Sequence, residues 1–212
     1  MSDRNRYWTV ADAHADSIAD FLDVSRETRE KLEIYVDMLT KWQARINLIS
    51  SNTLPEIWHR HILDCAQLVR HLPRKPSVIL DMGSGAGLPG VILAIATDHQ
   101  IHLVESDSRK VAFMRTALRK TGTDAVLHEM RIEQLPVIQP DIITARALAP
   151  LDQLMMLSSA QHHENLEYLL LKGRDAKQEL TTLASCSKLE VECLPSLTDR
   201  EASIIHIKSF NY

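Results

Sequence analysis

Apolar side chains recur every three or four residues in the first third of the chain, with polar side chains between them. The repeat runs through Leu32, Tyr35, Val36, Leu39, Trp42 and Ile46. Because an α-helix turns once about every 3.6 residues, this spacing places the apolar side chains on one helix face. We predict one helix capped by Ser25 and a second that begins near Leu54, after a break at 51–53. The segment 11–70 is therefore predicted to be helical, without a strand.

The pattern changes after Pro76, where short apolar runs begin to alternate with helical segments. This alternation is typical of βαβ units on a parallel sheet. The predicted strands are 77–80, 101–105, 125–129, 142–145, 168–172, 189–193 and 203–207, and the predicted helices are about 88–97, 108–121, 150–160 and 174–186. The short connection around 195–200 predicts that the last two strands pair antiparallel at a sheet edge. We therefore predict an α/β chain: a Rossmann-like, mostly parallel seven-stranded sheet in 76–212 and a helical extension in 1–75.

Composition limits the class of protein. The chain has 212 residues, of which 45% are apolar and 25% charged, enough for one α/β core with an appendage. The formal charge of -4 and the pI near 6.2 indicate no global affinity for nucleic acid, so RNA binding would require a local basic face. Candidate basic clusters are residues 59–61, Arg109-Lys110 with Arg115 and Arg119-Lys120, and Lys172-Gly173-Arg174.

Cysteine, histidine and hydropathy patterns predict a cytoplasmic protein without a metal ion; a monomer is the default expectation, since the sequence carries no signal of oligomeric state. Cys65, Cys186 and Cys193 form no CxxC pair, which suits a reducing compartment. No apolar stretch approaches the roughly 20 residues that cross a bilayer, so we expect no membrane partner. His59 and His61 are two positions apart and so point to different sides of a helix, which argues against a compact metal pair.

A glycine-rich turn carries the strongest functional signal. Residues 81–90 follow the apolar run 78–80 and hold four of the six glycines of the chain. Glycines at alternate positions, Gly83, Gly85 and Gly87, let backbone amides approach a ligand, and the following segment can place a helix N-terminus beneath it. We therefore predict that a nucleotide-like ligand lies across this turn.

Two cofactors fit the glycine pattern. Gly85-x-Gly87-x-x-Gly90, with Glu105 about 20 residues further on, matches the dinucleotide fingerprint of an NAD-dependent oxidoreductase. Asp81-x-Gly83-x-Gly85-x-Gly87 matches the motif of S-adenosylmethionine-dependent methyltransferases. A carboxylate at Asp81 would repel a pyrophosphate but attract the ammonium and sulfonium of S-adenosylmethionine. The sequence favours the methyl donor, while an oxidoreductase and a turn without a ligand stay open as alternatives.

Residues at the carboxyl ends of the predicted strands supply the other site candidates, because ligands bind there in open α/β sheets. Glu105 ends the second strand, where a carboxylate accepts hydrogen bonds from both ribose hydroxyls. Ile132 and Glu133 follow the third strand and would frame an adenine. Arg146 follows the fourth strand, at the mouth over the donor methyl. Lys172 ends a central strand and would meet the phosphates of a bound RNA.

The fourth strand end also narrows the reaction. It lacks the Asn/Asp-Pro-Pro-aromatic quartet that enzymes acting on exocyclic base amines usually carry, and no cysteine follows a proline as a nucleophile for cytosine carbon would. A ring nitrogen such as guanine N7 has a free lone pair and needs only alignment and electrostatics. Arg146 is suited to donate towards guanine O6 while N7 stays free to react.

Landmark motifs are spread over most of the chain: Lys41-Trp42, Ile46-Asn47-Leu48, residues 60–64, 81–90 and 105–110, Arg146-Ala147 and Leu171-Lys172-Gly173. Together they resemble the bacterial 16S rRNA (guanine-N7)-methyltransferase G family, also called RsmG or GidB. The resemblance implies a class I S-adenosylmethionine-dependent methyltransferase domain with an N-terminal helical portion. It also implies 16S rRNA of the small ribosomal subunit as the partner, with one guanine methylated at N7 in a hairpin loop near the decoding site.

The resemblance also places the family's donor-binding residues on Gly83, Leu88, Ile132, Glu133 and Arg146. Two departures from the family pattern are Cys65, where serine is frequent, and Arg200, which is slightly displaced from an arginine before the last strand. The full predicted cofactor-binding set is Asp81, Gly83, Gly85, Gly87, Leu88, Glu105, Ile132, Glu133 and Arg146, and the predicted catalytic residues are Arg146 and Lys172. A non-catalytic module that binds S-adenosylmethionine and RNA is a further alternative.

Overall fold

The fold is built on one seven-stranded sheet. The computed structural model describes residues 9–184 and 188–211. Its strands are β1 (Val78–Met82), β2 (Gln100–Glu105), β3 (Val126–Glu129), β4 (Ile142–Arg146), β5 (Glu167–Lys172), β6 (Lys188–Pro195) and β7 (Ser203–Asn211). Their order across the sheet is β3-β2-β1-β4-β5-β7-β6. The first five strands are parallel, and β7 pairs antiparallel with both β5 and β6. The predicted fold class is confirmed.

Helices cover both faces of the sheet. They are α1 (Ala15–Leu22), α2 (Arg26–Gln43), α3 (Asp64–Ala66), α4 (Gly90–Ala96), α5 (Ser108–Thr121), α6 (Leu151–Leu157) and α7 (Ala176–Ala184). The Ser25 side chain caps α2 as predicted, by accepting a hydrogen bond from the Thr28 amide at 3.2 Å. Asp107 caps α5, and Gly122 ends it in the left-handed conformation with φ 60°. These local signals explain why the bounds of α5 agree with the sequence prediction.

The predicted second N-terminal helix is not a regular α-helix. The segment 51–71 instead runs through a 3-10 turn at Ser51–Glu56, a π-helical turn at Trp58–Leu63, α3, and a further 3-10 turn at Gln67–His71. Pro55 lies inside the first turn, and a proline has no amide hydrogen for an α-helical bond. Pro55 is thus one physical reason why this segment does not form a regular α-helix.

The N-terminal helices share their core with one face of the sheet. Leu32, Tyr35 and Leu39 of α2 are fully buried in the same apolar cluster as Ile92 and Phe113 of the sheet-packing helices. The division of the chain at residue 75 stays a prediction. The structure adds that side chains from both sides of residue 75 fill this one cluster.

Strand β1 is displaced relative to the prediction, which ended it at residue 80. Because β1 continues to Met82, Asp81 lies within the strand, in register with Leu103 of β2 and Thr144 of β4. A parallel strand between two others is buried on both faces, so the Asp81 side chain is only 1% exposed. None of the helices in the described parts of the chain is long and apolar enough to span a membrane.

Candidate functional site

The glycine turn follows β1 directly and adopts a conformation that requires glycine. Gly83, Gly85 and Gly87 have φ angles of +65°, +58° and +85°, in the left-handed region. A Cβ at Gly83 would lie 2.5 Å from the Leu148 side chain, and one at Gly87 would lie 2.3 Å from Val91. The backbone angles therefore disfavour a side chain at all three positions, and neighbouring side chains also exclude one at Gly83 and Gly87.

Asp81 holds this turn from below. One carboxylate oxygen accepts a hydrogen bond from the Gly90 amide at 3.1 Å, and the other accepts one from the Thr144 hydroxyl at 3.0 Å. Burial raises the pKa of the carboxyl to about 7, although its hydrogen bonds act in the opposite direction. The sequence interpretation placed this carboxylate beside the charged groups of a ligand, whereas the structure engages both oxygens with the protein.

Glu105 ties the turn to the end of β2. Its Oε2 accepts a hydrogen bond from the Gly85 amide at 2.9 Å. Its Oε1 accepts from the amides of Ser106 and Asp107, each at 2.8 Å. A carboxylate offers about four acceptor positions, so a further donor such as a sugar hydroxyl can still bind here.

A cavity of about 350 Å³ opens above the turn, and we call it the glycine-loop cavity. Six of the predicted cofactor-binding residues line it: Gly83, Gly85, Glu105, Ile132, Glu133 and Arg146. The other three predicted residues, Asp81, Gly87 and Leu88, are absent from this lining. Leu88 is 7% exposed and packs in the apolar cluster under the turn. Ligand binding by these nine residues stays a prediction.

The chemistry of this cavity fits S-adenosylmethionine. Its volume lies within the usual range for small-molecule sites. Apolar side chains suited to an adenine ring, those of Met130, Ile132 and Leu157, line it together with the Glu105 carboxylate that suits a ribose. Sequence reasoning missed Leu157, because the end of a short helix carries no signal of what it will face.

A second cavity, of about 500 Å³, lies between the end of β4 and the loop that joins β6 to β7, and we call it the hairpin cavity. Its wall includes Lys172, as well as Ser196 and Thr198 from that loop. The two cavities share one stretch of wall, Arg146-Ala147-Leu148. Ala147 has a φ of 50°, a strained angle for a residue with a Cβ, at the junction.

Arg146 is fixed in this shared wall by the irregular helical segment 51–71. Its Nε lies 3.2 Å from the Asp64 carboxylate, and its Nη2 donates to the Arg60 carbonyl at 2.9 Å. The same Nη2 is 3.0 Å from Nδ1 of His61, whose pKa is lowered to about 3 by burial and by the charges of Arg146 and Arg60. The neutral His61 ring can therefore accept this hydrogen bond.

Lys172 lies in the hairpin cavity wall with its charge neutralised. The side chain is 9% exposed, and its Nζ donates to Glu179 at 2.8 Å and to the Ala149 carbonyl at 2.5 Å. Glu179 also accepts from the Leu151 amide at 2.8 Å, so it is held from two sides. The lysine predicted to meet phosphate is thus already ion-paired within the protein.

Asp64 is the residue of this wall that sequence reasoning missed most completely. Its Oδ1 accepts from the Thr198 hydroxyl at 2.8 Å and from Gln67 at 3.0 Å, while its Oδ2 faces Arg146. It stands in the landmark stretch 60–64, but one acid in a helical segment has no pattern that names its partner. In the parts of the chain that the structure describes, no group of three His, Cys, Asp or Glu side chains is placed to hold a metal ion.

Comparison with known proteins identifies relatives over most of the chain. Residues 28–205 match the family model described as GidB, rRNA small subunit methyltransferase G. The chain is 46% identical to ribosomal RNA small subunit methyltransferase G of Paramagnetospirillum magneticum over 87% of this chain and 90% of that one. It is 44% identical to the protein of that name in Rhodospirillum rubrum, over 91% and 96% of the two chains.

Solved structures share the fold at low sequence identity. Magnesium protoporphyrin IX methyltransferase from Synechocystis PCC 6803, solved with bound S-adenosylmethionine, is 11% identical with a TM-score of 0.58, covering 88% of this chain and 98% of that one. The ribosomal protein L11 methylase of Lactobacillus delbrueckii is 15% identical with a TM-score of 0.55, over 67% and 74%. These likenesses support the fold of the sheet and its helices.

Proposed function

Since the chain belongs to the rRNA small subunit methyltransferase G family, we propose that it transfers a methyl group from S-adenosylmethionine to N7 of a guanine in 16S rRNA. The observation that carries this proposal is the meeting of two cavities at Arg146-Ala147-Leu148. The glycine-loop cavity suits the donor, and the hairpin cavity is large enough for a purine base. We infer that the donor methyl and the guanine would meet at this shared stretch.

The donor side uses backbone amides and one carboxylate. When bound, S-adenosylmethionine supplies an electrophilic methyl group on a positively charged sulfur. Glu105 would accept hydrogen bonds from the ribose hydroxyls, and Ile132 would pack against the adenine. Gly83 and Gly85 keep the backbone close to the ligand, and Asp81 holds their turn from beneath. Asp81 therefore acts on the donor through the glycine turn.

The acceptor side favours a base nitrogen that reacts without losing a proton. Guanine N7 has a free lone pair, so no general base is required, and orientation is the main task. Arg146 and Lys172 are paired with Asp64 and Glu179, so neither is placed as a free base or a free cation. We assign both residues to orienting the guanine and its surroundings.

Cysteine chemistry supports the same choice. Cys65 is fully buried, 3.7 Å from Arg146, and burial raises the pKa of its thiol to about 12. A thiol with so high a pKa supplies little of the thiolate needed to attack a pyrimidine ring. Cys65, which contacts Arg146 of the shared wall, is therefore unsuited to methylation at cytosine carbon.

Cations that line the two cavities, of which Arg60 and Arg131 are exposed and Lys110 is half-buried, offer contacts for RNA phosphates. Arg60 lines the hairpin cavity and is paired with Asp199 across 3.5 Å, with both side chains substantially exposed. Lys110 and Arg131 line the glycine-loop cavity. These three residues are our candidates for the local basic face of a chain with net negative charge.

We also propose that the protein acts as a cytoplasmic monomer on the target hairpin near the decoding site.

The family assignment does not favour an NAD-dependent oxidoreductase. The glycine pattern shared by both cofactor classes explains why the sequence left that alternative open. A non-catalytic module would bind donor and RNA without transferring a methyl group, so it is distinguished by a direct assay.

The assay measures transfer from methyl-labelled S-adenosylmethionine to small ribosomal subunits taken from cells that lack this gene. Strand cleavage specific for N7-methylguanosine then maps the label. We expect one labelled guanine in 16S rRNA. Label at another atom would contradict N7 as the target, and donor binding without transfer would favour the non-catalytic module. Subunits from cells that carry the gene are the matched control, because their target is already methylated.

A further inference from the structure

Asp64 lines the hairpin cavity directly beside Arg146, which belongs to the wall that both cavities share. Its carboxylate lies 3.2 Å from Arg146, and the two side chains are only 16% and 20% exposed. It is also bonded to Thr198 of the loop between β6 and β7 and to Gln67 of its own segment. One carboxylate therefore joins three separate parts of the chain next to the shared wall.

The charge of this pair bears directly on the proposed reaction, on which this inference rests. In the transfer, the N7 lone pair forms the nitrogen–carbon bond, the carbon–sulfur electron pair stays on sulfur, and no proton moves. The positive charge therefore passes from the sulfur to the purine. An uncompensated cation in the wall between them would repel that charge before, during and after the transfer.

Every other contact of the Arg146 guanidinium that the structure gives is with an uncharged partner. These partners are the Arg60 carbonyl, the neutral ring of His61 and the buried thiol of Cys65. Asp64 is therefore the charge that balances Arg146 at close range. We propose that Asp64 is a positioning residue that orients Arg146 and neutralises it, so that the donor's positive charge is accommodated beside a pair of zero net charge.

The proposal predicts the relative affinity of the protein for a charged and an uncharged ligand of the same shape. S-adenosylmethionine carries a sulfonium, whereas its demethylated product S-adenosylhomocysteine carries a neutral thioether. We expect Asp64→Asn to lower the ratio of S-adenosylmethionine affinity to S-adenosylhomocysteine affinity by about tenfold. Asparagine retains an oxygen for Thr198 and Gln67, so the substitution isolates the interaction with Arg146.

Two further variants keep the test decisive where Asp64→Asn impairs folding. Arg146→Gln leaves the Asp64 carboxylate uncompensated and should shift the same ratio in the opposite direction, towards S-adenosylmethionine. The double variant Asp64→Asn/Arg146→Gln removes both charges and should return the ratio to within about twofold of the unmodified protein. Glu192→Gln, in the exposed ion pair with Lys208, is the matched control and should leave the ratio unchanged.

The measurement is titration calorimetry of each full-length variant with S-adenosylmethionine and S-adenosylhomocysteine at pH 7.5, with a thermal melt of each to confirm folding. A ratio that moves in opposite directions for the two single variants and is restored in the double variant supports the proposal. Equal losses of affinity for both ligands would overturn it, because a purely structural role predicts no dependence on ligand charge. These binding measurements need no RNA, so their outcome does not depend on the proposed substrate. The proposed substrate is contradicted instead by an absence of methyl transfer to small subunits.

Discussion

The two cavities are built in different ways, although they share a wall. The glycine-loop cavity uses backbone amides, one strand-end carboxylate and apolar side chains, all contributed by β1 to β4 and the segments that follow them. The hairpin cavity is lined by ion pairs, two of which join residues that lie far apart in the chain, Arg60 with Asp199 and Arg146 with Asp64. One site follows from local chain geometry, and the other exists only when distant segments meet.

This difference suggests how the two sites respond to substitution. A site built from backbone amides depends on the few side chains that hold that backbone in place. Removal of one of these side chains should therefore lower donor affinity strongly and affect donor binding alone. A site built from ion pairs should lose turnover when one partner is removed, because the remaining charge is left unbalanced. Measurement of donor affinity separately from turnover tests this contrast.

The largest expected effect is that of Asp81→Ala on the donor side. The substitution leaves the Gly90 amide and the Thr144 hydroxyl without their acceptor in a buried position. We expect the affinity for S-adenosylmethionine to fall by about 100-fold, the size of loss that a displaced binding group can cause. Calorimetry measures it, and Asp81→Asn is the matched control because its amide can serve both partners. Unchanged affinity in folded Asp81→Ala would show that the turn keeps its shape unaided.

The next effect concerns the pH dependence of stability. The pKa of Asp81 is about 7 in the fold and 3.8 ordinarily, so between these values the folded state binds a proton that the unfolded state does not. The stabilisation that this additional bound proton gives the folded state is complete below pH 3.8 and is lost as pH rises through 7. Asp81→Asn has no such group. Its free energy of unfolding, relative to that of the unmodified protein, should rise by about 2 kcal/mol from pH 5 to pH 8. Denaturant titrations at both pH values measure this, and a difference that is independent of pH would contradict it.

A smaller effect is expected for Lys172→Met on the acceptor side. Removal of the lysine leaves Glu179 as an unbalanced carboxylate in the hairpin cavity wall. We expect methyl transfer to small subunits to fall by about tenfold, with donor affinity within about twofold of normal. Lys177→Met, at an exposed position on α7, is the control. A parallel loss of donor affinity would mean that the two cavities are not separable in this way.

The smallest effect is expected for Tyr35→Phe. The Tyr35 hydroxyl of α2 donates to the Ala86 carbonyl of the glycine turn at 2.7 Å in a fully buried position. Loss of this bond should lower the free energy of unfolding by about 1 kcal/mol and donor affinity by about threefold. Tyr168→Phe, which removes a buried bond to Ser158 at 2.7 Å, should lower stability alone. Equal donor affinities in the two variants would exclude a role of α2 in shaping the turn.

The difference between the two cavities also decides how much of each could be predicted from the sequence. The glycine turn, Glu105 and residues 132–133 were predictable, because parallel strands bring their carboxyl ends to one edge and the apolar pattern marks where strands end. The placement of Asp81 was less accurate, since β1 runs two residues beyond the predicted end and pairs on both sides. Strand pairing decides such a boundary, and pairing partners are not written in the local pattern.

The neutralised state of Lys172 and Arg146 was not predictable from spacing at all. Their type and their position at strand ends indicated a role at a site, but not the carboxylates that would balance them. Cys65 and Arg146, for example, are in contact across 81 positions of the chain. No periodicity links such residues, because the contact arises only after the N-terminal segment packs against the sheet.

By itself, the sequence determined the alternation of strands and helices, the glycine turn with its family motifs and the candidates at strand ends, because these depend on local periodicity and on residue conformation. Only the tertiary structure decided that Asp81 faces the protein, that the irregular helical segment 51–71 fixes Arg146, and that two cavities meet at the end of β4. These features arise from contacts between distant segments, whose energies depend on burial and charge balance in three dimensions.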